Sequence, residues 1–152
     1  MKIGGTVTVT DNSADAIAAI EAAAETALDA AGSQAATLAK MELQKYPERI
    51  DTGLLRNSIT WALGGGSAAV SSYSADRASK YTGKVPEPGH YTGVAPKDTP
   101  QTISVYIGTN VEYAYYVHDG TDRMAPNRFL KNAISKNRAE LSDIIKKNLQ
   151  NG

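Results

Sequence analysis

The sequence predicts an α+β fold: a long N-terminal helix and a C-terminal helix packed on a small, mostly antiparallel sheet, with a long flexible loop between strands. Three observations carry this. Apolar residues recur at three- and four-residue steps before Pro47 and again after Pro126. Two stretches, 58–63 and 101–109, alternate apolar and polar residues at period two. Between them, residues 64–100 hold six glycines and four prolines with little periodicity.

A chain of 152 residues fits one domain, 1–152, with 64–100 as a flexible loop or insertion. There is no cysteine, so stability comes from packing without a disulfide or thiolate metal site. No apolar run approaches the roughly 20 residues that cross a bilayer, and the first residues lack a signal peptide's apolar core. The expectation is a soluble protein made and kept in the cytoplasm, with no membrane partner.

Taken in order, Thr6 to Thr10 (TVTVT) alternates as a short strand does. Asn12 or Ser13 then offers an N-cap, with Asp15 in the first turn facing the helix dipole. The following stripe of Ile17, Ile20, Ala24, Leu28, Ala31, Ala35, Leu38 and Met41 predicts a helix of about 33 residues, closed by Pro47. Gly32-Ser33 marks its expected bend. Such length outruns what a small globule covers, so part of this helix is expected to meet another subunit.

Thr52-Gly53 breaks the chain, and Ser58 to Leu63 reads as a half-buried strand with Ile59, Trp61 and Leu63 on one face. A brief strand is expected within 68–73; the rest of 64–100 reads as mobile loop, ordered by a partner. Gln101 to Thr109 puts Ile103, Val105 and Ile107 on one face and should pair with 58–63. Val111 to Asp119 predicts two helical turns ended by Gly120 in a left-handed conformation. Pro126 or Asn127 starts a final amphipathic helix of about 22 residues.

Lysine plus arginine equals aspartate plus glutamate at 16 each, so no global field favours a polyanion. The distribution is uneven: residues 1–39 carry one basic and five acidic side chains, and residues 123–152 carry seven and two. A basic C-terminal helix is one way to contact nucleic acid. The preferred reading is two oppositely charged helices lying together, within or between subunits, because nucleic-acid sites usually show a basic surplus for the whole domain.

The sharpest catalytic suspicion is Asp51-Thr52-Gly53, the tripeptide of aspartic proteases, where two aspartates share a proton. Its context, after a charged helix end and before Leu54-Leu55, fits a turn in which the Asp51 carboxylate caps backbone amides. His90 and His118 belong to no metal-binding spacing and are expected at solvent or an interface. No catalytic, metal or cofactor residue is assigned. Tyr113, Tyr115 and Tyr116 lack the interleaved cations of a base-stacking platform and read as packing and interface.

Three segments, DTGLLRNSI (51–59), VYIGTNVEYAYYVHDGT (105–121) and MAPNRFLKNAI (124–134), follow one another in an order that resembles one family. It is the tail-completion, or head-tail joining, proteins of long-tailed bacteriophages, also described as minor tail components. The matching positions are Asp51, Thr52, Gly53, Leu55, Arg56 and Ser58; Gly108, Thr109, Tyr113, Ala114, Tyr116, Val117, Gly120 and Thr121; and Pro126, Phe129 and Leu130. Departures are Tyr115 where proline is common, His118 where an acid is common, and Asn127-Arg128 in place of Arg-Pro.

The resemblance implies a protein without catalysis or cofactor that caps the tail tube and joins it to the head connector. It implies a homo-oligomeric ring, taken as a hexamer, in the neck of the virion, assembled in the host cytoplasm. Partners would be the connector and the tail tube or tail terminator proteins, with DNA only passing through the lumen. Asp51, Thr52, Gly53, Gly108, Gly120, Pro126 and Phe129 would be structural. Arg56, Tyr113, Tyr115, Tyr116, His118, Asp119 and Arg128 are the expected interface residues.

Overall fold

The computed structural model describes residues 7–8, 14–100 and 102–151. Its architecture is α+β, built around one central helix, α1 (Ala14–Gln44), which runs about 46 Å at 1.5 Å per residue. A two-stranded sheet covers one side of α1, and two C-terminal helices cover another. Double coverage explains the alanines: Ala24, Ala27, Ala31, Ala35 and Ala39 are fully buried, so neighbours approach α1 closely on both flanks.

That double coverage also corrects the expected stripe. Ile20 is 40% and Met41 is 54% exposed, whereas Ala27, Ala36, Ala39 and Leu43 are buried. The side chain of Ile17 lies outside the described residues, as do Asn12 and Ser13. The helix ends at Gln44, and Pro47 opens a 3-10 turn, Pro47–Arg49. No break in α1 occurs at Gly32-Ser33. A methyl group placed on Gly32 would lie 2.6 Å from Val105 Cγ2 and 2.8 Å from Trp61 Cδ1. Gly32 therefore serves close helix-sheet approach.

The sheet pairs β2 (Thr60–Leu63) antiparallel with β6 (Val105–Gly108), setting Thr60 opposite Gly108 and Leu63 opposite Val105. This is the pairing that period-two alternation predicts. Ile59, Val105 and Ile107 are buried under α1, and Trp61 Nε1 donates to Asp29 of α1 at 2.8 Å. The expected 101–109 strand is interrupted at Ser104, which separates β5 (Thr102–Ile103) from β6. β5 pairs with β1 (Val7–Thr8), and the rest of the expected Thr6–Thr10 strand, like Gln101, lies outside the described residues.

A short helix not anticipated from the sequence, α2 (Leu54–Ser58), precedes β2. Residues 64–100 are largely irregular, as composition suggests. They contain a small ladder of β3 (Ser72–Tyr73) with β4 (Gly89–His90), shorter than the strand expected over 68–73.

After β6 come α3 (Ala114–Asp119), α4 (Phe129–Ser135) and α5 (Arg138–Asn151). The single final helix expected from the spacing is thus two, broken at Lys136-Asn137, and it starts at Phe129, not at Pro126 or Asn127. The Asn137 side chain donates to Ala133 O at 3.0 Å, a local bond that competes with helix continuation. Gly120 has φ 80° but ψ 174°, so it leaves α3 extended and not in the expected left-handed helical conformation. Only glycine adopts that pair of angles readily.

Phe129 is fully buried at the centre of the core, beside Leu28, Ile59 and Ile107. α5 lies antiparallel to α1: Lys136 faces Glu42 at 3.5 Å, and Glu140 accepts from Gln34 at 2.9 Å. The two helices of opposite charge therefore lie together within one subunit, the first of the two arrangements allowed above, although neither bond uses an acid of residues 1–39.

Candidate functional site: an apolar groove beside a tyrosine patch

The three quoted segments are far apart in sequence but meet in space. Residues 50–56, the loop 79–86, Tyr113 just before α3 and Val117 within it, with Met124 and Asn127, line one groove of about 570 Å³. Leu43, at the end of α1, forms part of it. The lining is mainly apolar, from Ile50, Leu54, Leu55, Val85, Pro86 and Val117, with Arg49, Asp51, Arg56 and Lys84 among its charged members. That mixture and size suit an apolar side chain or segment presented by a partner.

One wall exists because the Asp51-Thr52-Gly53 turn clasps the long loop. Asp51 Oδ2 accepts from the Ser79 hydroxyl at 2.5 Å and Oδ1 from the Lys80 amide at 2.8 Å. The Ser79 hydrogen bond, then the Lys80 amide, hold the Asp51 carboxyl below its ordinary range. The backbone amide that Asp51 caps is thus the distant Lys80, while within the turn Thr52 Oγ1 accepts from Leu54 N at 3.2 Å. An aspartyl dyad needs one carboxyl held protonated. Asp51 is shifted the opposite way, with both oxygens occupied.

The clasp continues along α2. Thr52 O accepts from Asp76 N at 2.8 Å, and Asn57 Nδ2 donates to Asp76 Oδ1 at 2.9 Å and Ser74 O at 2.8 Å. Arg56 pairs with Asp76, so this expected interface residue is engaged within its own chain. Gly53 has φ 83°, and a methyl group there would press on Asp76. Its glycine is required twice, by backbone angle and by space. Further along, Tyr91 donates to Ser58 O at 2.5 Å, and burial first of all raises the pKa of its hydroxyl. Ser58 Oγ in turn lies 2.6 Å from Thr109 Oγ1, which ties the first segment to the second.

The tyrosines divide by position. Tyr115 and Tyr116 are 68% and 56% exposed on α3, their rings edge to face at 5.8 Å. Tyr113 reaches the groove, and burial raises the pKa of its hydroxyl against an opposing hydrogen bond to the Leu55 backbone. Exposed aromatic rings beside an apolar groove are what protein interfaces favour.

His118 is half-buried, its side chain 15% exposed. Nδ1 faces Asp119 Oδ1 at 2.9 Å, the ring meets Phe129 edge to face at 5.3 Å, and Nε2 accepts from Lys131 N at 3.3 Å. His90 is exposed. Arg128 is exposed at the start of α4, and Pro126 packs against Gly120. Gly108 closes β6 opposite Thr60.

Asn127, expected only as one of two candidate helix starts, has a bridging role that the sequence did not show. It is buried; its amide nitrogen donates to Val117 O at 2.9 Å, its carbonyl accepts from Phe129 N at 2.8 Å, and its Nδ2 donates to Glu42 O at 3.2 Å. One residue thus joins the ends of α1 and α3 to the start of α4, its backbone reaching Val117 and Phe129 and its side chain reaching Glu42. The available signal was slight: Asn127 and Arg128 stand as a polar pair between Pro126 and Phe129.

Among the described residues, no group of three or more histidines, aspartates or glutamates is placed to hold a metal ion, and no helix is long and apolar enough to cross a membrane. A scan against protein-family models, and searches of curated proteins and of solved structures, return no match.

Proposed function

We propose that this chain is a structural assembly protein of a bacteriophage neck, which caps the tail tube and joins it to the head connector as a ring. The observation that supports this best is convergence. The three segments that resemble the tail-completion family build one groove and the tyrosine patch beside it. Groups that share a surface without forming a proton relay fit a docking role better than a reaction centre.

A balanced net charge fits a lumen through which DNA slides without being gripped. The alternative, nucleic-acid binding by the basic C-terminal helix, is less favoured because α5 lies along the acidic α1. In the proposed setting the protein resides in the virion at the head-tail junction.

Electron microscopy of particles made without this gene tests the reading. Separate filled heads and finished tails are expected; intact virions, or heads that fail to package, would overturn it. Salt-dependent binding of the purified protein to duplex DNA would favour the alternative.

A further inference from the structure

The core-facing stripe of α1 is longer than its cover. Ala24 and Leu28 are fully buried, yet Ile20, four residues earlier on the same face, is 40% exposed. The cause is geometric. α5 runs antiparallel from Lys136 beside Glu42 through Glu140 beside Gln34. At equal rise per residue, its end at Asn151 comes level with roughly the first buried residue, Ala24. Beyond that point, Ala18, Ala19 and Ala22 are exposed as well, and Glu21 and Glu25 give this end its negative charge.

The groove sits at the opposite end of the same helix. Leu43 lines it, about 35 Å along the axis from Ile20. Of its cations, Arg56 is matched by Asp76, but the Lys84 ammonium has no partner among the described residues. Among the described residues, the Arg49 guanidinium meets the Ala125 carbonyl and the Tyr46 ring and no carboxylate. With Asp51 as its other anion, the groove still holds one more cation than anion, and it lies at the opposite end of α1 from an apolar arm with negative charge.

We propose that the projecting first turns of α1 from one copy seat in the groove of the next, Ile20 entering the apolar lining and Glu21 or Glu25 meeting Lys84 and Arg49. Alanines flanking Ile20 keep the arm narrow enough to enter. Because arm and groove occupy different surfaces, the contact is heterologous, and copies add head to tail. This deepens the assembly reading above and rests on it only for closure of the series into a ring.

The chain has no cysteine, so introduced pairs report without background. Ile20→Cys and Val85→Cys replace exposed side chains, one on the arm and one in the groove. Protein at about 1 mM, where even a weak contact is filled, is oxidised and run on a non-reducing gel. The double variant should give a ladder of disulfide-linked oligomers, and a mixture of the two single variants should give one dimer band. Each single variant alone should stay uncrosslinked.

Strong homodimers from either single variant, or no crosslink in the double variant, would overturn the proposal. So would crosslinking of Val85→Cys to a different polypeptide in assembled particles. Failure here with separated heads and tails in the gene deletion removes this contact and leaves the function. A ladder combined with intact virions in the deletion does the reverse.

Discussion

His118 of α3 caps a helix to which it does not belong: its Nε2 accepts the backbone amide of Lys131, in the first turn of α4, at 3.3 Å. Arg128, the residue at the N-cap position, makes no side-chain cap bond. The imidazole thus supplies from outside what serine or aspartate normally supplies locally. Replacing His118 with alanine removes this acceptor and the edge contact on Phe129, and should cost about 1–2 kcal/mol in urea unfolding. Full retention of stability would show that water replaces the ring at no cost.

Gly32→Ala sets two effects against each other. Alanine favours a helix interior by about 1 kcal/mol. Its methyl would sit 2.6 Å from Val105 and 2.8 Å from Trp61, and overpacking of a tight core costs about 1–3 kcal/mol. Neither neighbour can retreat, since Val105 is fully buried and Trp61 is held by Asp29. The net expectation is destabilisation, seen as a lower melting temperature; a rise would mean that the sheet yields.

Glu42 makes the fold sensitive to acid. Burial raises its pKa, but the bond to Lys45 at 2.8 Å and the approach of Lys136 at 3.5 Å outweigh burial, and the net shift is downward from 4.5. A carboxyl held low in the folded state stabilises above its unfolded pKa, and that contribution fades as pH falls through the folded value. Stability should therefore decline below about pH 4.5. Glu42→Gln should flatten that decline in a series of denaturation curves, and an unchanged slope would assign the acid sensitivity to other groups.

The clasp at Asp51 should be readable by protease. Asp51→Ala removes both acceptors of the 79–80 segment, which carries Lys80 and, close by, Arg77 and Lys84. Cleavage by trypsin in 77–84 should accelerate severalfold, while global stability changes by less than about 1 kcal/mol, because the site lies at the surface. An unchanged cleavage rate would mean that Arg77 and Lys80, which hold the carbonyls of Ile50 and Glu48, suffice alone.

Tyr115 and Tyr116 cover no core, so the double alanine variant should fold with wild-type stability. Under the proposed function it should still lower the yield of joined particles by about tenfold or more, the scale of two moderate interface residues. Normal particle yield with normal folding would remove the patch from the interface.

What the sequence made legible was what local periodicity encodes. Ile59, Trp61 and Leu63 against Ile103, Val105 and Ile107 announced the sheet, and the long alternation of alanines and leucines announced α1. Misreadings cluster where partners are remote. Met41 has helical spacing but no cover, and nothing local says where α5 will lie. The break at Lys136-Asn137 did carry a local sign, since asparagine is a favoured N-cap type directly before Arg138. For the candidate site, the three segments could be named from the sequence, but their convergence on one groove could not. It depends on Asp51 reaching Ser79 and on Asn127 reaching Glu42, both long-range bonds.

The alanine packing of α1 has a mechanical consequence. A methyl side chain has no alternative rotamer, so the flanks of α1 cannot absorb a local displacement by repacking. A push at Leu43 must then move the whole helix as one rod, and its far end swings in proportion to its length. Under the proposed docking, occupancy at one end would be felt as tilt at the other, and such a strut would pass strain from copy to copy without any hinge.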